Sequence, residues 1–327
     1  MFILGVIRKT IFSSKRILLL CHENADLDSF CSAAIFQDYL QQTKISAVIG
    51  VPSHINEQTL SFALKHNISF SVNPDLLKYD LVCLFDFNDY EQLGKLQKSF
   101  SALLKKNAFS VIAFDHHEIE KRSIDLSKKF VDPNAFSTTQ LLFNLIGKKL
   151  SKRMAFFACI GMLEDTGRFL VGSKELFNAF SFCLSKSGKN YSDIFEESKH
   201  VVRHDEQMAF IKAAQRAQIF SIGKIIVVVS ELSFYQGPAA TILIDFGAHI
   251  SLVAGTEKNG SSVLSARAET YFKEKSNFNL MTHLMKPLQE AIGGEVGGHS
   301  GAAQWSGTTN HKKVVKEAIN ILNKKFS

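Results

Sequence analysis

Polar and apolar positions fall into blocks along this chain, and short apolar runs end repeatedly at acids or histidines. Ile17 to Cys21 is an apolar run that stops at His22. A run this short and continuous, bounded by polar residues, predicts a buried strand. A helical pattern follows over Ser29 to Leu40, with Ala33, Ala34 and Leu40 on its apolar side, and then a second strand over Ser46 to Val51. Asn56 to Lys65 reads as helix, and Tyr79 to Phe85 as a third strand ending at Asp86. The next helix is expected to start at Asp89, with Gln92 completing a capping box. Ala108 to Phe114 is a further strand, ending at Asp115. Ser137 and Gln140 form a second capping-box pair, opening a helix through Leu145, and Met154 to Leu163 is an apolar helix that ends at Asp165.

Strands alternating with helices predict an α/β domain with a parallel sheet and helices on both faces. Ligands in such sheets bind beyond the carboxyl ends of the strands, and His22, Asp86 and Asp115 all lie there. The pattern changes after about Ser185. Asn190 to Ile219 reads as a mostly helical, polar connecting arm. Lys224 to Val229 predicts a strand, and His249 to Gly255 with Ser262 to Ala266 a hairpin turning at Asn259-Gly260. Asn279 to Ile292 and His311 to Leu322 read as helices, with a glycine-rich loop from Gly293 between them. The expected organisation is a catalytic domain over 1–187, a helical linker over 188–220 and a smaller α+β domain over 221–327. There is no internal repeat and no low-complexity segment.

Hydrophobic residues make up 46% of the 327 and charged ones 21%, which predicts a buried core instead of disorder. The 28 Phe fit core filling. The five Cys are odd in number, lack a CxxC pair and sit in or beside apolar runs. They read as buried thiols in a reducing compartment. The runs Ile3 to Ile7 and Ile17 to Leu20 are too short for a membrane span or a signal segment, so a soluble, cytoplasmic protein is expected. The net charge of +7 favours anionic partners. The groups Lys148, Lys149, Lys152, Arg153 and Lys312, Lys313, Lys316, Lys324, Lys325 read as solvated helix faces.

The polar clusters carry the chemistry. His22, Asp26 and Asp28 place one imidazole and two carboxylates just beyond a strand. Carboxylates two residues apart can fan around a hard cation, and His with Asp suits manganese, iron or zinc. Helix caps favour the same residue types, so this cluster alone, like Asp86 alone, also reads as a cap or turn. The adjacent His116 and His117 are harder to explain structurally, because burying them unpaired is costly. Glu164 and Asp165 end a helix, where its dipole disfavours acids. Recurrence at the ends of successive elements points to one shared site.

In order and spacing these motifs resemble the DHH phosphoesterase superfamily. His-x-Asn-x-Asp-x-Asp-Ser stands at His22 to Ser29, Asp-His-His at Asp115 to His117, and the single-Asp motifs at Asp86 and Asp165. Gly293 to Ala303 resembles the GGH loop of the DHH-associated C-terminal domain. The resemblance covers nearly the whole chain and implies two divalent metal ions. One would be held by His22, Asp26 and Asp86, the other by Asp28, Asp86, His116 and Asp165, with Asp86 bridging. Manganese is the implied metal, with magnesium or cobalt as alternatives. His117 is implied to contact phosphate or transfer a proton, Asp115 to orient the His pair, and Arg267, Gly297, Gly298 and His299 to grip the substrate. Arg203 and His204 are weaker candidates, and Arg203 reads as a solvated helix residue.

The implied activity is hydrolysis of short single-stranded oligonucleotides or nucleotides by a two-metal-activated hydroxide, with pAp phosphatase activity beside it. The length and two-domain plan resemble nanoRNase and pAp-phosphatase members. The alternatives are a linear or cyclic dinucleotide phosphodiesterase and a RecJ-like single-strand exonuclease. A non-catalytic nucleic-acid-binding scaffold is the rival from another class, and the complete ligand set argues against it. No membrane partner is expected, and a homodimer is allowed.

Overall fold

The structure, a computed structural model, describes residues 9–118, 123, 124, 126, 129–199, 202–258 and 260–326. The apolar run Ile3 to Ile7 and the turn residue Asn259 lie outside them. The chain divides into two compact units, Met1–Val201 and Val202–Ser327.

The first unit is built on a six-stranded parallel sheet. Its strands are β1 (Ile17–Cys21), β2 (Ala47–Val51), β3 (Phe70–Val72), β4 (Leu81–Phe85), β5 (Ser110–Asp115) and β6 (Lys129–Val131), in the order β3-β2-β1-β4-β5-β6. The order reverses between β1 and β4, and it is beyond the carboxyl ends of strands at such a point that α/β sheets bind ligands. Both strands are buried along their whole length, which is why they read as unbroken apolar runs. Alternate side chains serve different cores. Ile17, Leu19 and Cys21 pack towards the helices α1 (Leu27–Gln42), α4 (Thr138–Ile146) and α5 (Lys152–Asp165), while Leu18 and Leu20 pack with Phe100. The phenylalanines fill the first core as expected: the Phe36 ring lies 5.5 Å from Phe85 and 4.9 Å from Phe114. The unit also contains the helices α2 (Glu57–Lys65), α3 (Gln97–Lys105), α6 (Lys174–Ser187) and α7 (Tyr191–Glu197).

Two expectations in this unit are corrected. The helix placed at Asp89 opens instead as a 3₁₀ segment over Glu91–Leu96, and α3 proper starts at Gln97. Asp89 accepts from the Glu91 amide at 2.8 Å, and left-handed Gly94 (φ 47) interrupts the run. Ser137 caps α4, but the Gln140 side chain accepts from the Phe136 amide at 2.8 Å, one residue before the cap.

The second unit contains α8 (His204–Gln215), β7 (Gln218–Ile222), β8 (Ile225–Glu231), α9 (Gln236–Asp245), β9 (Ile250–Thr256), β10 (Ser262–Ala268), α10 (Thr270–Ser276), α11 (Lys286–Ile292), β11 (Glu295–Gly298), β12 (Ala302–Gly307) and α12 (His311–Phe326). Its sheet order is β11-β12-β10-β9-β8-β7, with only β8 and β9 parallel. The arm expected over Asn190 to Ile219 is therefore not continuous. Its helices α7 and α8 fall in different units, and its end is the edge strand β7. The glycine-rich segment is a hairpin, not a loop. Glycine is disfavoured in strands, but here pairing to β12 holds the backbone, and the buried Trp305 indole donates to the Gly293 carbonyl at 2.7 Å. All five cysteines are free and buried. Among the described residues no helix is long and apolar enough to cross a membrane.

Helix α5 passes so close to α1 and α4 that a Cβ on Gly161 would collide with both Thr139 and Asp28. Those two side chains are hydrogen-bonded to each other, so neither can simply swing aside. Gly161→Ala should therefore lose about 1–2 kcal/mol of stability net, because overpacking outweighs the gain in helix propensity. Denaturant unfolding followed by circular dichroism checks this. The single tryptophan, Trp305, lies in the other unit and would not report it. An unchanged or raised midpoint would show that the contact yields.

Candidate metal centre

The site grows from the turns after β1, β4 and β5. His22 follows β1, and its Nδ1 donates to the Glu23 carbonyl at 2.8 Å. That leaves Nε2, which lies 3.4 Å from Asp26 Oδ1 and 3.8 Å from Asp86 Oδ2. His116 repeats the device. Its Nδ1 faces the Ala135 carbonyl at 3.2 Å, and its Nε2 lies 3.3 Å from Asp86 Oδ1 and 2.9 Å from Asp165 Oδ2. A carbonyl can only accept, so each ring commits Nδ1 as donor and aims Nε2 at carboxylates. This is how proteins orient metal-binding imidazoles.

Asp86 stands between the two rings, one oxygen towards each. Its backbone is left-handed at φ 67, an unfavourable conformation for a residue with a Cβ. Its amide donates to the Phe114 carbonyl at 2.9 Å, and its Oδ1 accepts from the Thr138 hydroxyl at 2.9 Å. Asp26 caps α1 by accepting from the Ser29 amide at 3.0 Å. Asp28, two residues on, is fully buried. It accepts from the amides of Thr138 (2.6 Å) and Thr139 (3.1 Å) and from the Thr139 hydroxyl (2.7 Å).

The atoms of His22, Asp26 and Asp86 lie within 4.8 Å of one another, as do those of Asp28, His116 and Asp165 and those of Asp86, His116 and His117. Two buried atoms test whether these groups suit a cation. His116 Nε2 and Asp165 Oδ2 are close but not aligned for a hydrogen bond, and neither has another hydrogen-bonding partner. A cation held by both would satisfy them, and the mixed N/O set suits a divalent transition metal.

The charge balance points the same way. Burial, Asp86 and Asp165 push the Asp28 carboxyl well above the usual carboxylate range. Burial also raises Asp86, with Asp26 and Asp165 adding to it. Burial, with Asp26 and Asp165, lifts Glu164 to about 7. Burial works against charging either ring, yet Asp26 raises His22 to about 9, and Asp165 with Asp86 raise His116 to about 11. Without a metal, protons balance the crowded negative charge.

Asp115 is fully buried and accepts from the Asn88 side chain at 2.5 Å. It also accepts from the His117 amide at 3.2 Å and from His117 Nδ1 at 2.8 Å. It thus orients His117 alone, whereas the expectation was the His pair; the Ala135 carbonyl does this for His116. The His117 ring is half exposed, and among the described residues its Nε2 has no hydrogen-bonding partner.

The expected phosphate-gripping residues lie in the second unit. Arg267 stands opposite Ala302, and its guanidinium donates to the Ala266 carbonyl at 3.0 Å. Among the described residues no carboxylate pairs with it. Gly298 is left-handed (φ 128), where a Cβ would meet the Ala302 carbonyl. Gly297 pairs with Gln304. His299 is exposed, and its amide donates to the Ala302 carbonyl at 2.8 Å. Arg267 and His299 thus flank one hairpin end. Arg203 is exposed and pairs with Asp205 at 3.2 Å, and His204 begins α8. Thr138, Thr139 and Asn88 were not singled out from sequence. Their only signal is a run of hydroxyls at a helix start and an amide two residues after Asp86.

Comparison with known proteins agrees with this geometry. The model of the DHH family, N-terminal domain, matches residues 16–162. An uncharacterized protein of Methanocaldococcus jannaschii is 22% identical, over 95% of this chain and 94% of its own length. The fold is shared with an exopolyphosphatase-related protein from Bacteroides fragilis, at 17% identity and a TM-score of 0.73, over 99% of this chain and 96% of that one. A DHH domain from a member of the s1p family of ribosomal proteins covers 99% of this chain and 90% of its own at 14% identity and a TM-score of 0.56. Residues 16–162, which hold every proposed ligand but Asp165, are thus similar to the N-terminal domain of the DHH family.

Proposed function

We propose that the chain is a divalent-metal-dependent phosphohydrolase acting on short single-stranded oligonucleotides or nucleotides, pAp among them. The observation that carries the reading is the pair of buried atoms His116 Nε2 and Asp165 Oδ2, 2.9 Å apart yet without a hydrogen bond, inside a cluster of carboxylates. The similarity of residues 16–162 to the N-terminal domain of the DHH family supports it. His22, Asp26 and Asp86 would hold one cation, and Asp28, Asp86, His116 and Asp165 a second, with manganese favoured by the mixed donors. Bound there, divalent cations neutralise phosphoryl oxygens and acidify water. The Thr138 hydroxyl and the two rings keep Asp86 in place between them. Asp115 raises the pKa of His117 and fixes its Nδ1, so a protonated His117 presents Nε2–H as donor to a phosphate oxygen or leaving group. All five thiols are buried, which leaves no accessible cysteine nucleophile. The unpaired Arg267 and the glycine hairpin around His299 supply contacts for phosphate in the second unit.

The test is manganese-dependent hydrolysis of end-labelled RNA and DNA of graded length beside pAp, linear and cyclic dinucleotides and polyphosphate. Rapid loss of the shortest strands is expected, abolished by Asp86→Asn. Asp115→Asn should lower activity about 10–100-fold, as loss of an orienting partner does. Failure of metal-loaded protein to cleave any di- to pentanucleotide or pAp would sink the substrate reading. Preference for long strands would favour RecJ-like work.

Metal binding should also depend on pH in a defined direction. His22 and His116, raised to about 9 and about 11, carry protons at neutral pH in metal-free protein. A cation must displace those protons, so affinity for manganese should rise about tenfold per pH unit for each proton released. Calorimetry in buffers of different ionisation enthalpy measures both quantities. Affinity that stays flat between about pH 6 and about pH 8 would remove these rings from the ligand set.

A further inference from the structure

The second unit holds a cavity of about 660 Å³ that involves neither the glycine hairpin nor any proposed metal ligand. It lies at the far edge of the sheet, because β7 is the last strand on one side and β11 the last on the other. Its floor is apolar: Phe220 from β7, Val229 from β8, and Val315 and Ile319 from α12. Its rim is basic. Arg216 stands at the end of α8, and Lys312 and Lys316 lie one turn apart on α12.

None of these three cations pairs with a carboxylate among the described residues. Arg216 donates one N–H to the Glu231 carbonyl at 2.9 Å and keeps its other donors. Glu231 is the one acid in the lining, and one of its oxygens, Oε1, lies 2.7 Å from His311 Nε2. The volume is that of a small-molecule site. Unpaired cations at a cavity mouth attract an anion, but a bare inorganic ion would leave the apolar floor unused. An aromatic ring with a phosphate attached uses both. Gln218 adds a side-chain amide, which matches the donor and acceptor edge of a nucleobase, while the Asn320 amide, also in the lining, donates to Glu317 at 3.2 Å.

We propose that this cavity binds a mononucleotide, its phosphate held by Arg216, Lys312 and Lys316 and its base laid against Phe220 and Val229. The site belongs to the second unit and is independent of what the metal centre hydrolyses. It gives the protein a place to sense nucleotide apart from the reaction.

The test is calorimetric titration of the metal-stripped full chain with AMP, adenosine and inorganic pyrophosphate. AMP should bind at one site and more tightly than either part. Lys312→Glu combined with Lys316→Glu should weaken it roughly tenfold or more, the loss expected from two charged contacts. Both lysines are exposed, so folding is not at stake, and circular dichroism verifies it. Lys313→Glu, exposed on the same helix but outside the cavity lining, should leave AMP binding unchanged. Pyrophosphate binding as tightly as AMP would reduce the site to an anion patch and overturn the proposal. So would absence of saturable AMP binding, or binding that survives the lysine changes.

Discussion

A carboxylate sealed from water has to be answered by the protein around it, and Asp28 has no exposed surface at all. Its partners come from the first turn of α4: two backbone amides and the Thr139 hydroxyl. Amides at a helix start have no acceptor within the helix, and the partial positive charge there suits an anion. The start of α4 is therefore fixed to α1 through one buried charge. Helix α5 closes over the pair at Gly161, where no Cβ fits, and runs on to deliver Asp165. Three helices and two proposed ligands are thus placed by a single desolvated anion.

That anion is not alone, and the imbalance gives the site its chemistry. Asp26, Asp28, Asp86, Glu164 and Asp165 gather around two imidazoles. Burial and mutual repulsion raise Asp28, Asp86 and Glu164, and the same carboxylates raise His22 and His116. Protons can relieve the crowding, but His116 Nε2 and Asp165 Oδ2, 2.9 Å apart, still make no aligned hydrogen bond. Divalent cations would relieve both at once. Asp86 faces both rings from a left-handed backbone, and unfavourable dihedrals of this kind persist where the surroundings over-determine them. Here the Phe114 carbonyl and the Thr138 hydroxyl do so.

How much of this was legible in the sequence follows from which physical signals are local. Strands β1, β4 and β5 are buried along nearly their whole length, so their unbroken apolar runs announced the parallel sheet and, at its carboxyl ends, the proposed ligands. The edge strands β3 and β6 have three residues each and are only partly buried, which leaves too little pattern to read. The β11–β12 hairpin was missed because glycine carries no side-chain signal, and its pairing partner lies later in the chain. Thr138, Thr139 and Asn88 resemble ordinary cap and turn residues until a buried carboxylate is placed beside them. Adjacency to His116 and His117 could not show which ring Asp115 holds. That depends on backbone direction at the end of β5, where the Ala135 carbonyl reaches His116 first.

The basic residues show the same limit from the other side. Lys312, Lys313 and Lys316 read as one solvated helix face, but helical periodicity separates them. Lys312 and Lys316 are four apart and share a side with Val315 and Ile319, while Lys313 does not reach the cavity. What gives the shared side a meaning is the strand it faces: β7 closes the sheet, and its Phe220 helps to floor the cavity beneath that side. A net charge of +7 draws anions to the whole molecule without choosing among them. Selection begins only where unpaired cations border an apolar floor, because there the uncharged part of the ligand contributes as well.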